Sequence, residues 1–343
     1  MSTFGDGVYQ YGGVPVASGG LPFPATGKAF FVDPANGSDG NTGKKPSNAF
    51  QTLYAAHDAC TAGNNDVVYL MGGGSTAATA RLSLANAVAV DSTATTGVLT
   101  WSKRATHLIG ITAPTSISQR ARIAPPATYT MATFNSGNFV VVSAQGCYFA
   151  NFSVFHGFTT GGASQIAWTD SGGRNCYHNV NIQGGGDTDS AQTNATTFRS
   201  LLVTGSTGEN TFRGCTIGLD TISRSTGSQE IEFAGGSPRN RLEDCVIETY
   251  AGAAGCFWMT IGGSGIDRYL MFRNCMFTNP VLPATAANAT AMTVGFSINA
   301  AAGGTVHTMN SMFYGAATLS SSALHFSNMG AGNAKGGLGV VST

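Results

Sequence analysis

Carboxylate side chains are the first candidates for chemistry in this sequence, and they are few. The chain has five glutamates and twelve aspartates. Hydrolysis of a glycosidic bond needs two carboxylates roughly 5–9.5 Å apart across a groove. A polysaccharide lyase would need clustered aspartates for Ca²⁺ and a lysine or arginine base. Asp187 and Asp189, in an inserted loop, are the residues that would be catalytic in an enzyme. Acidic residues in solvated loops are far more common than catalytic ones, so we expect no catalytic residue.

A metal site is conceivable in the loop that contains Asp33, Asn36, Asp39 and Asn41. Their oxygens could bind Ca²⁺, but the local hydrogen bonds of Asx turns explain the same residues equally well. The loop also lacks the regular spacing and closing glutamate of an EF-hand. We therefore expect no metal. We also expect no cofactor, because Gly72–Gly74 is not followed by the Lys-Ser/Thr of a phosphate loop, and the six histidines are scattered.

The seven cysteines form an odd set with no Cys-x-x-Cys pair, which disfavours zinc and thioredoxin-like chemistry. Free cysteine behaves as a small apolar side chain in protein cores. We therefore expect reduced cysteines that pack in the core.

The charge composition excludes several classes of partner. Lys+Arg and Asp+Glu balance at 17 each, and charged residues make up only 10% of the chain. A balanced chain has no net field that attracts nucleic acid or anionic lipid. No apolar run is long enough to span a membrane, and the N-terminus lacks a signal peptide. We expect no nucleic-acid or membrane partner, and synthesis in the cytoplasm without secretion.

A repeat shows which elements position the side chains. Six small or Asn-like anchor residues recur at intervals of 28 to 36 residues: Asn151, Asn179, Gly214, Asp244, Asn274 and Asn310. Alternating positions on both sides of each anchor are mostly apolar, as in a half-buried strand. Asn, Asp and Gly tolerate the left-handed backbone conformation that a corner between strands needs.

Each repeat also has a second short apolar run: Gln165–Trp168, Arg199–Val203, Glu230–Phe233, Phe257–Ile261, Thr293–Ile298 and Ala323–Phe326. A β-sandwich would also have alternating strands, but its hairpins would not repeat one residue type at one offset. The pattern predicts an all-β protein, a right-handed single-stranded parallel β-helix with a short N-terminal capping α-helix and extended terminal arms.

The stacking of such coils predicts two columns of side chains. Cys215, Cys245 and Cys275 follow their anchors and should form an inner column. Arg213, Glu243 and Arg273 precede their anchors and should form an outer one. Strands in one sheet are about 4.8 Å apart, so Glu243 would lie between the two arginines. This gives Glu243 a structural role rather than a catalytic one.

The beginning of the chain suggests a cap and a family. Residues Asn48–Gln51 are typical of a capping box, and Phe50, Leu53, Tyr54 and His57 form a helical apolar stripe. The segments Val32–Asp39, Ala49–Leu53 and Asp66–Leu70 resemble the opening of pectate-lyase-like β-helix proteins. The resemblance implies the fold and not an activity, because this fold hosts lyases, hydrolases, adhesins and phage virion proteins.

The two ends suggest how the protein is used. We divide the chain into an N-terminal arm (1–29), a capping region (30–74), the coils (75–326) and a Gly/Ala-rich tail (327–343). Neither end can bury much surface alone, so we expect both to dock onto neighbouring proteins. The expected docking residues are Phe4, Val8, Tyr9, Tyr11, Val14 and Pro15.

An arm joined to a β-helix resembles tailed-bacteriophage virion proteins. The resemblance implies a non-enzymatic capsid decoration or minor capsid protein, or a fibre or spike component. Its expected location is the virion, its partners are other capsid or tail proteins, and a homo-oligomer such as a trimer is plausible. The alternative is a tailspike-type polysaccharide depolymerase or a glycan-binding adhesin.

Overall fold

The computed structural model describes residues 10–11, 14–15, 27–72, 82–83, 99–117, 121–124, 138–155, 165–184, 198–280 and 289–329. These residues contain one α-helix, α1 (Leu53–Ala59), a short 3-10 helix (Pro46–Asn48) and 28 strands. Two of the strands, β1 (Gln10–Tyr11) and β2 (Val14–Pro15), pair antiparallel with each other.

The other strands form three long parallel sheets. Sheet 1 has ten strands: β3 (Ala29–Val32), β4 (Asp66–Met71), β7 (Thr106–Ile111), β10 (Tyr148–Ala150), β13 (Cys176–His178), β16 (Thr211–Arg213), β19 (Asn240–Glu243), β22 (Arg268–Arg273), β25 (Gly304–Met309) and β28 (Phe326–Met329). Sheet 2 has eight strands: β5 (Leu82–Ser83), β8 (Arg122–Ala124), β11 (Ser153–Phe155), β14 (Asn181–Gln183), β17 (Thr216–Arg224), β20 (Val246–Ala251), β23 (Met276–Thr278) and β26 (Met312–Tyr314). Sheet 3 has eight strands: β6 (Leu99–Trp101), β9 (Asn138–Val142), β12 (Gln165–Asp170), β15 (Phe198–Val203), β18 (Gln229–Phe233), β21 (Phe257–Ile261), β24 (Met292–Ile298) and β27 (Ala316–Ser320).

The chain visits the three sheets in turn, so each circuit lays one strand on each sheet beside the strand of the previous circuit. Connections between neighbouring parallel strands are almost always right-handed. The structure confirms the predicted all-β fold, a right-handed single-stranded parallel β-helix.

The six anchor residues form the corners between sheet 1 and sheet 2. All have the left-handed backbone that the repeat predicted, with φ between 50° and 60°. This conformation is unfavourable for most residues with a Cβ but tolerated by Asn, Asp and Gly. It ends six of the ten strands of sheet 1, namely β10, β13, β16, β19, β22 and β25, and turns the chain into sheet 2.

The core is a continuous stack of apolar side chains inside the three sheets. The rings of Phe149, Tyr177 and Phe212 lie parallel on successive coils, with centroid distances of 5.1 and 4.4 Å. Trp168 and Trp258 are fully buried in this stack. One predicted run is wrong: the strand that follows β24 in sheet 3 is Ala316–Ser320, and not Ala323–Phe326. The last circuit is shorter than the others, and Phe326 belongs to sheet 1.

The helix α1 packs on the first coil of the core through Leu53 and Ala56. Its N-cap is Thr52, whose hydroxyl accepts a hydrogen bond from the Ala55 N–H. The predicted capping box at Asn48 is therefore wrong, since Asn48 ends the 3-10 helix. Phe50 pairs with Val32 in a parallel bridge instead of beginning the helix.

The described part of the chain contains no helix long and apolar enough to cross a membrane. Its last strand ends at Met329, three residues beyond the expected end of the coils.

Candidate functional site

Several residues proposed for function lie outside the described part of the chain, among them Asp187, Asp189, Phe4, Val8 and Tyr9. The other expected docking residues, Tyr11, Val14 and Pro15, belong to the pair β1–β2, in which Tyr11 is opposite Val14.

Arg213, Glu243 and Arg273 lie side by side on the outer face of sheet 1. Glu243 accepts a hydrogen bond from Arg213 Nη2 at 2.8 Å, and Arg273 Nη2 lies 3.2 Å from its other oxygen. The glutamate side chain is 8% exposed, whereas the arginine side chains are 57% and 45% exposed. Glu243 therefore connects three successive coils.

Two more glutamates connect coils in the same way. Glu209 lies between Arg174 and Arg239, with N–O distances of 2.9 Å to each. Glu232 in β18 accepts a hydrogen bond from Arg199 in β15, the neighbouring strand. These three glutamates thus act as lateral cross-links between coils.

A column of asparagines crosses the coils just before sheet 1. Asn175, Asn210 and Asn240 are buried, and each Oδ1 accepts the N–H of the equivalent position one coil earlier, at 2.9 to 3.0 Å. These three residues recur in the sequence, and the structure explains why: each asparagine connects its coil to the previous one.

The cysteines are all free, and every one except the half-buried Cys176 is buried. The thiols of Cys215, Cys245 and Cys275 donate to backbone carbonyls of the preceding coil at 3.4 to 3.6 Å. Burial raises the pKa of the Cys245 thiol well above its ordinary value, which makes it a poor nucleophile.

In the loop that could have held Ca²⁺, the acidic side chains have local partners. Asp33 accepts hydrogen bonds from the backbone of Ala35 and Asn36. Asp39 accepts from the N–H groups of Gln51 and Thr52 and so fixes the start of α1. The described residues contain no group of three or more His, Cys, Asp or Glu side chains placed to hold a metal ion.

An ion pair buried outside the apolar core occupies the corner between sheets 2 and 3. Arg224 Nε lies 3.0 Å from Glu230 Oε1, and the side chains are 0% and 1% exposed. Arg224 Nη2 donates to the Gly184 carbonyl at 2.7 Å, and its guanidinium carbon lies 4.6 Å from the centre of the Phe198 ring. The Ser200 hydroxyl donates to the second oxygen of Glu230. The partners of this ion pair therefore come from β15 and from the end of β14, while the pair itself joins β17 to β18.

Glu248 lies next to this pair and differs from the other glutamates. It is opposite Gly218 in the sheet, and its Oε1 is buried without a hydrogen-bond partner. Burial, followed by the negative charges of Asp220 and Glu230, raises the pKa of Glu248 from 4.5 to about 8. Glu248 is therefore protonated at neutral pH.

A β-bulge explains why these polar side chains are buried. In the pairing of β17 with β20, Leu219 is opposite Thr249 and Arg224 is opposite Ala251. The four residues 220–223 of β17 therefore lie opposite a single residue of β20. The extra residues leave the regular ladder, as at other bulges, and the chain beyond them brings Arg224 to Glu230.

The cluster of Arg224, Glu230, Glu248 and Asp220 is the described site best suited to proton chemistry. A carboxylic acid with a pKa near neutrality can act as a general acid, and Asp220 is exposed beside it. Glu248 itself is only 2% exposed, however, so a substrate cannot reach it without displacing the bulge.

Sequence reasoning missed this cluster. Glu230 and Glu232 alternate along the run Glu230–Phe233 and so share one strand face, but nothing in that run marks a partner for Glu230. The missing information was the bulge at residues 220–223: Gly218, Asp220 and Ser223 are turn-forming residues, but they are spread along Thr216–Arg224 and do not form a recognisable turn signal.

No protein-family model and no curated protein matches the sequence. Among solved structures, the chain is similar to pectate lyase Pel9A, with a TM-score of 0.55, 14% identity and coverage of 83% of this chain. The alignment spans 63% of that lyase, less than two thirds of its length. The chain is also similar to a rhamnogalacturonan lyase, with a TM-score of 0.53, 16% identity and coverage of 83% of this chain and 68% of the lyase. These likenesses establish the parallel β-helix fold and no activity.

Proposed function

We propose that this chain is a non-enzymatic structural protein of a bacteriophage virion, a capsid decoration or minor capsid protein that docks through its N-terminal arm. Its partners would be other capsid or tail proteins, and it would be made in the host cytoplasm. The observation that carries the non-enzymatic part is how the chain uses its acids. Four of its five glutamates pair with arginines, and the fifth is buried.

This use of charge suits a scaffold better than an enzyme. A catalytic carboxylate must contact the substrate, whereas Glu209, Glu232 and Glu243 contact arginines of adjacent coils. Cross-links of this kind hold a solenoid together laterally, since each coil otherwise contacts only its neighbours. The virion assignment itself rests on the resemblance of the arm and β-helix to phage proteins.

The second candidate is a tailspike-type polysaccharide depolymerase or a glycan-binding adhesin. The fold favours it, because it is shared with a pectate lyase and a rhamnogalacturonan lyase, whereas Glu248 is buried away from a substrate in this conformation. Asp187 and Asp189, which lie outside the described residues, would be its candidate catalytic residues.

Activity on the host's surface polysaccharide separates the two candidates. Purified wild-type protein is incubated with that polysaccharide, and the release of shorter chains is followed by size-exclusion chromatography. The scaffold proposal predicts no turnover. Turnover that is lost in Asp187→Asn with Asp189→Asn, or in Glu248→Gln, would establish the enzyme instead, and Glu232→Gln serves as the control outside both groups.

A further inference from the structure

Three methionines lie on the outer face of sheet 1, on its last three strands. In β22, Leu270 and Phe272 belong to the core, so Met271 between them points outward, because successive side chains of a strand alternate. Met309 in β25 and Met329 in β28 point outward for the same reason. Methionine is among the residue types most often fully buried, yet these three are only half-buried. Their position outside the core therefore requires an explanation.

His307 lies among these methionines. The register of the sheet places it directly beside Met271, and it is two residues before Met309 on the same strand. Met329 is directly beside Met309 on the last strand of the sheet. Neighbouring strands are about 4.8 Å apart, and residues two apart on one strand are separated by roughly 6.7 Å. We call these four residues the methionine–histidine group: Met271, His307, Met309 and Met329.

The imidazole of His307 has a nitrogen without a partner. Its Nδ1 is shielded from solvent and makes no hydrogen bond to any described residue. A buried polar atom is costly when it is left unpaired, so such an atom indicates a ligand that binds it. Imidazole nitrogen is the commonest metal ligand in proteins. The neighbours that could share a metal ion with it on this face are the thioethers.

The donor atoms of the methionine–histidine group have one chemical character. Thioether sulfur and imidazole nitrogen are both uncharged, and thioethers are soft ligands that select Cu(I) over hard cations such as Ca²⁺ and Mg²⁺. The group contains neither a carboxylate nor a thiolate, so it differs from the usual calcium and zinc sites. Methionine is unbranched and has three rotatable bonds, which allows side chains of adjacent strands to converge on one ion.

The charges beside the group favour an ion of low charge. Arg241 is directly beside Met271, and Arg273 is directly beside Met309. Glu243 lies 3.2 Å from the Arg273 guanidinium and offsets part of this positive charge. Repulsion by the remainder grows in proportion to the charge of the bound ion. A monovalent cation is therefore favoured over a divalent one.

We infer that the methionine–histidine group is a binding site for one Cu(I) ion, held by the imidazole of His307 and by the thioether sulfurs around it. The inference goes beyond the proposed function and does not depend on it. A methionine-rich surface for docking a protein would explain the half-buried thioethers. It would not explain the unpaired imidazole nitrogen in their midst.

Competition for Cu(I) tests the site. The full chain is titrated without oxygen against the Cu(I) chelator bathocuproine disulfonate, in a Cys176→Ser background that removes the half-buried thiol. We expect this parent protein to retain one Cu(I) per chain. Met309→Leu with Met329→Leu nearly conserves volume and should lower the affinity by at least an order of magnitude. The matched control, Met276→Leu with Met312→Leu, changes two methionines of sheet 2 and should bind as the parent does.

Methyl resonances identify the ligands directly. In protein with isotope-labelled methionine methyl groups, Cu(I) should shift the resonances of Met271, Met309 and Met329. The resonances of Met276 and Met312 should stay where they are. Equal shifts at the sheet 2 methionines, or shifts that leave all three sheet 1 methionines unaffected, would overturn the inference.

His307→Leu separates a metal site from a protein-docking surface. This variant keeps every methionine and removes only the imidazole, so its affinity for Cu(I) should also fall by at least an order of magnitude. Unchanged affinity in His307→Leu would overturn the inference. A parent protein that loses all its Cu(I) to the chelator, or a sheet 2 control as weak as the sheet 1 variant, would overturn it too.

Discussion

Arg224 and Glu230 form an ion pair 3.0 Å long that is shielded from solvent although it lies outside the apolar core. Moving two charges out of water is costly, and only a complete set of partners compensates for it. The partners are present: Ser200 donates to the glutamate, and the Gly184 carbonyl accepts from the arginine. The pair therefore fixes the corner between sheets 2 and 3 and the bulge above it.

Removal of one member of this pair should be strongly destabilising. Arg224→Met leaves Glu230 as an uncompensated buried charge, so we expect the free energy of unfolding to fall by about 3–5 kcal/mol. Urea denaturation followed by circular dichroism measures the change. The double variant Arg224→Met with Glu230→Leu should recover much of the loss, because it leaves no buried charge. A double variant less stable than Arg224→Met alone would contradict this explanation.

Glu248 predicts a specific dependence of stability on pH. Its pKa is raised from 4.5 to about 8 in the folded chain, so the folded state binds this proton more tightly than the unfolded state. The resulting stability is fully present below about pH 4.5 and is lost as the pH rises to about 8. Glu248→Gln keeps the shape without the charge, so it should abolish this decline and be more stable than the wild type at pH 8 by roughly 2–4 kcal/mol.

Denaturation midpoints between pH 5 and pH 9 check this prediction for both proteins. Glu232→Gln is the matched control, because Glu232 is paired with Arg199 and its loss should not remove the decline. Parallel pH profiles for the wild type and Glu248→Gln would show that Glu248 is not the titrating group.

The outer column of Arg213, Glu243 and Arg273 should contribute much less. The two arginines are 57% and 45% exposed, and Glu243, although only 8% exposed, keeps one arginine when the other is removed. We therefore expect Arg213→Ala and Arg273→Ala each to lower the free energy of unfolding by about 1 kcal/mol or less. Salt screens exposed charges, so the effect should shrink at high ionic strength. Urea denaturation at low and high salt tests both points, and a salt-independent loss of several kcal/mol would contradict them.

The asparagines of the column should contribute unequally to the stability of the fold. Asn175→Ala removes an acceptor for the Cys147 N–H and donors to the Ala144 carbonyl and to Asp170. Asn210→Ala removes one acceptor, that of the Asn175 N–H. Each buried group left unpaired costs about 1–3 kcal/mol. We expect Asn175→Ala to be clearly the less stable variant by urea denaturation, and equal losses would show that the hydrogen bonds do not set the cost.

The sequence predicts the corners of this fold because each corner depends on one residue. Asn151 and Asp244 are among the few residue types that tolerate positive φ, and their recurrence reports the coil directly. The start of helix α1 is harder to predict, because Asn48 and Thr52 are both good N-cap residues. The pairing of Phe50 with Val32 keeps Phe50 out of the helix, so Thr52 is the N-cap.

The buried corner could not be predicted from local pattern. In the alternation of their strands, Glu230 and Glu248 occupy positions that point away from the core, as solvent-exposed residues do. Their burial follows from a bulge in another strand. The raised pKa of Glu248 results first from burial and then from the charges of Asp220 and Glu230, which Arg224 opposes; these three residues lie on two different strands. Such an arrangement depends on register between coils and is not visible in one stretch of sequence.

The central claim, a structural role on a virion through the arm, is tested most directly on particles. The proposal implies that a phage encodes this chain, and virions of that phage are produced with the wild-type chain, with the Phe4→Ser, Tyr9→Ser and Tyr11→Ser variant, and with the Ser2→Ala, Gln10→Ser control. Quantitative mass spectrometry then gives the ratio of this chain to the major capsid protein. We predict a fixed ratio for the wild type and the control and a large loss for the arm variant. Absence of the wild-type chain from purified virions, or full incorporation of the arm variant, would contradict the account.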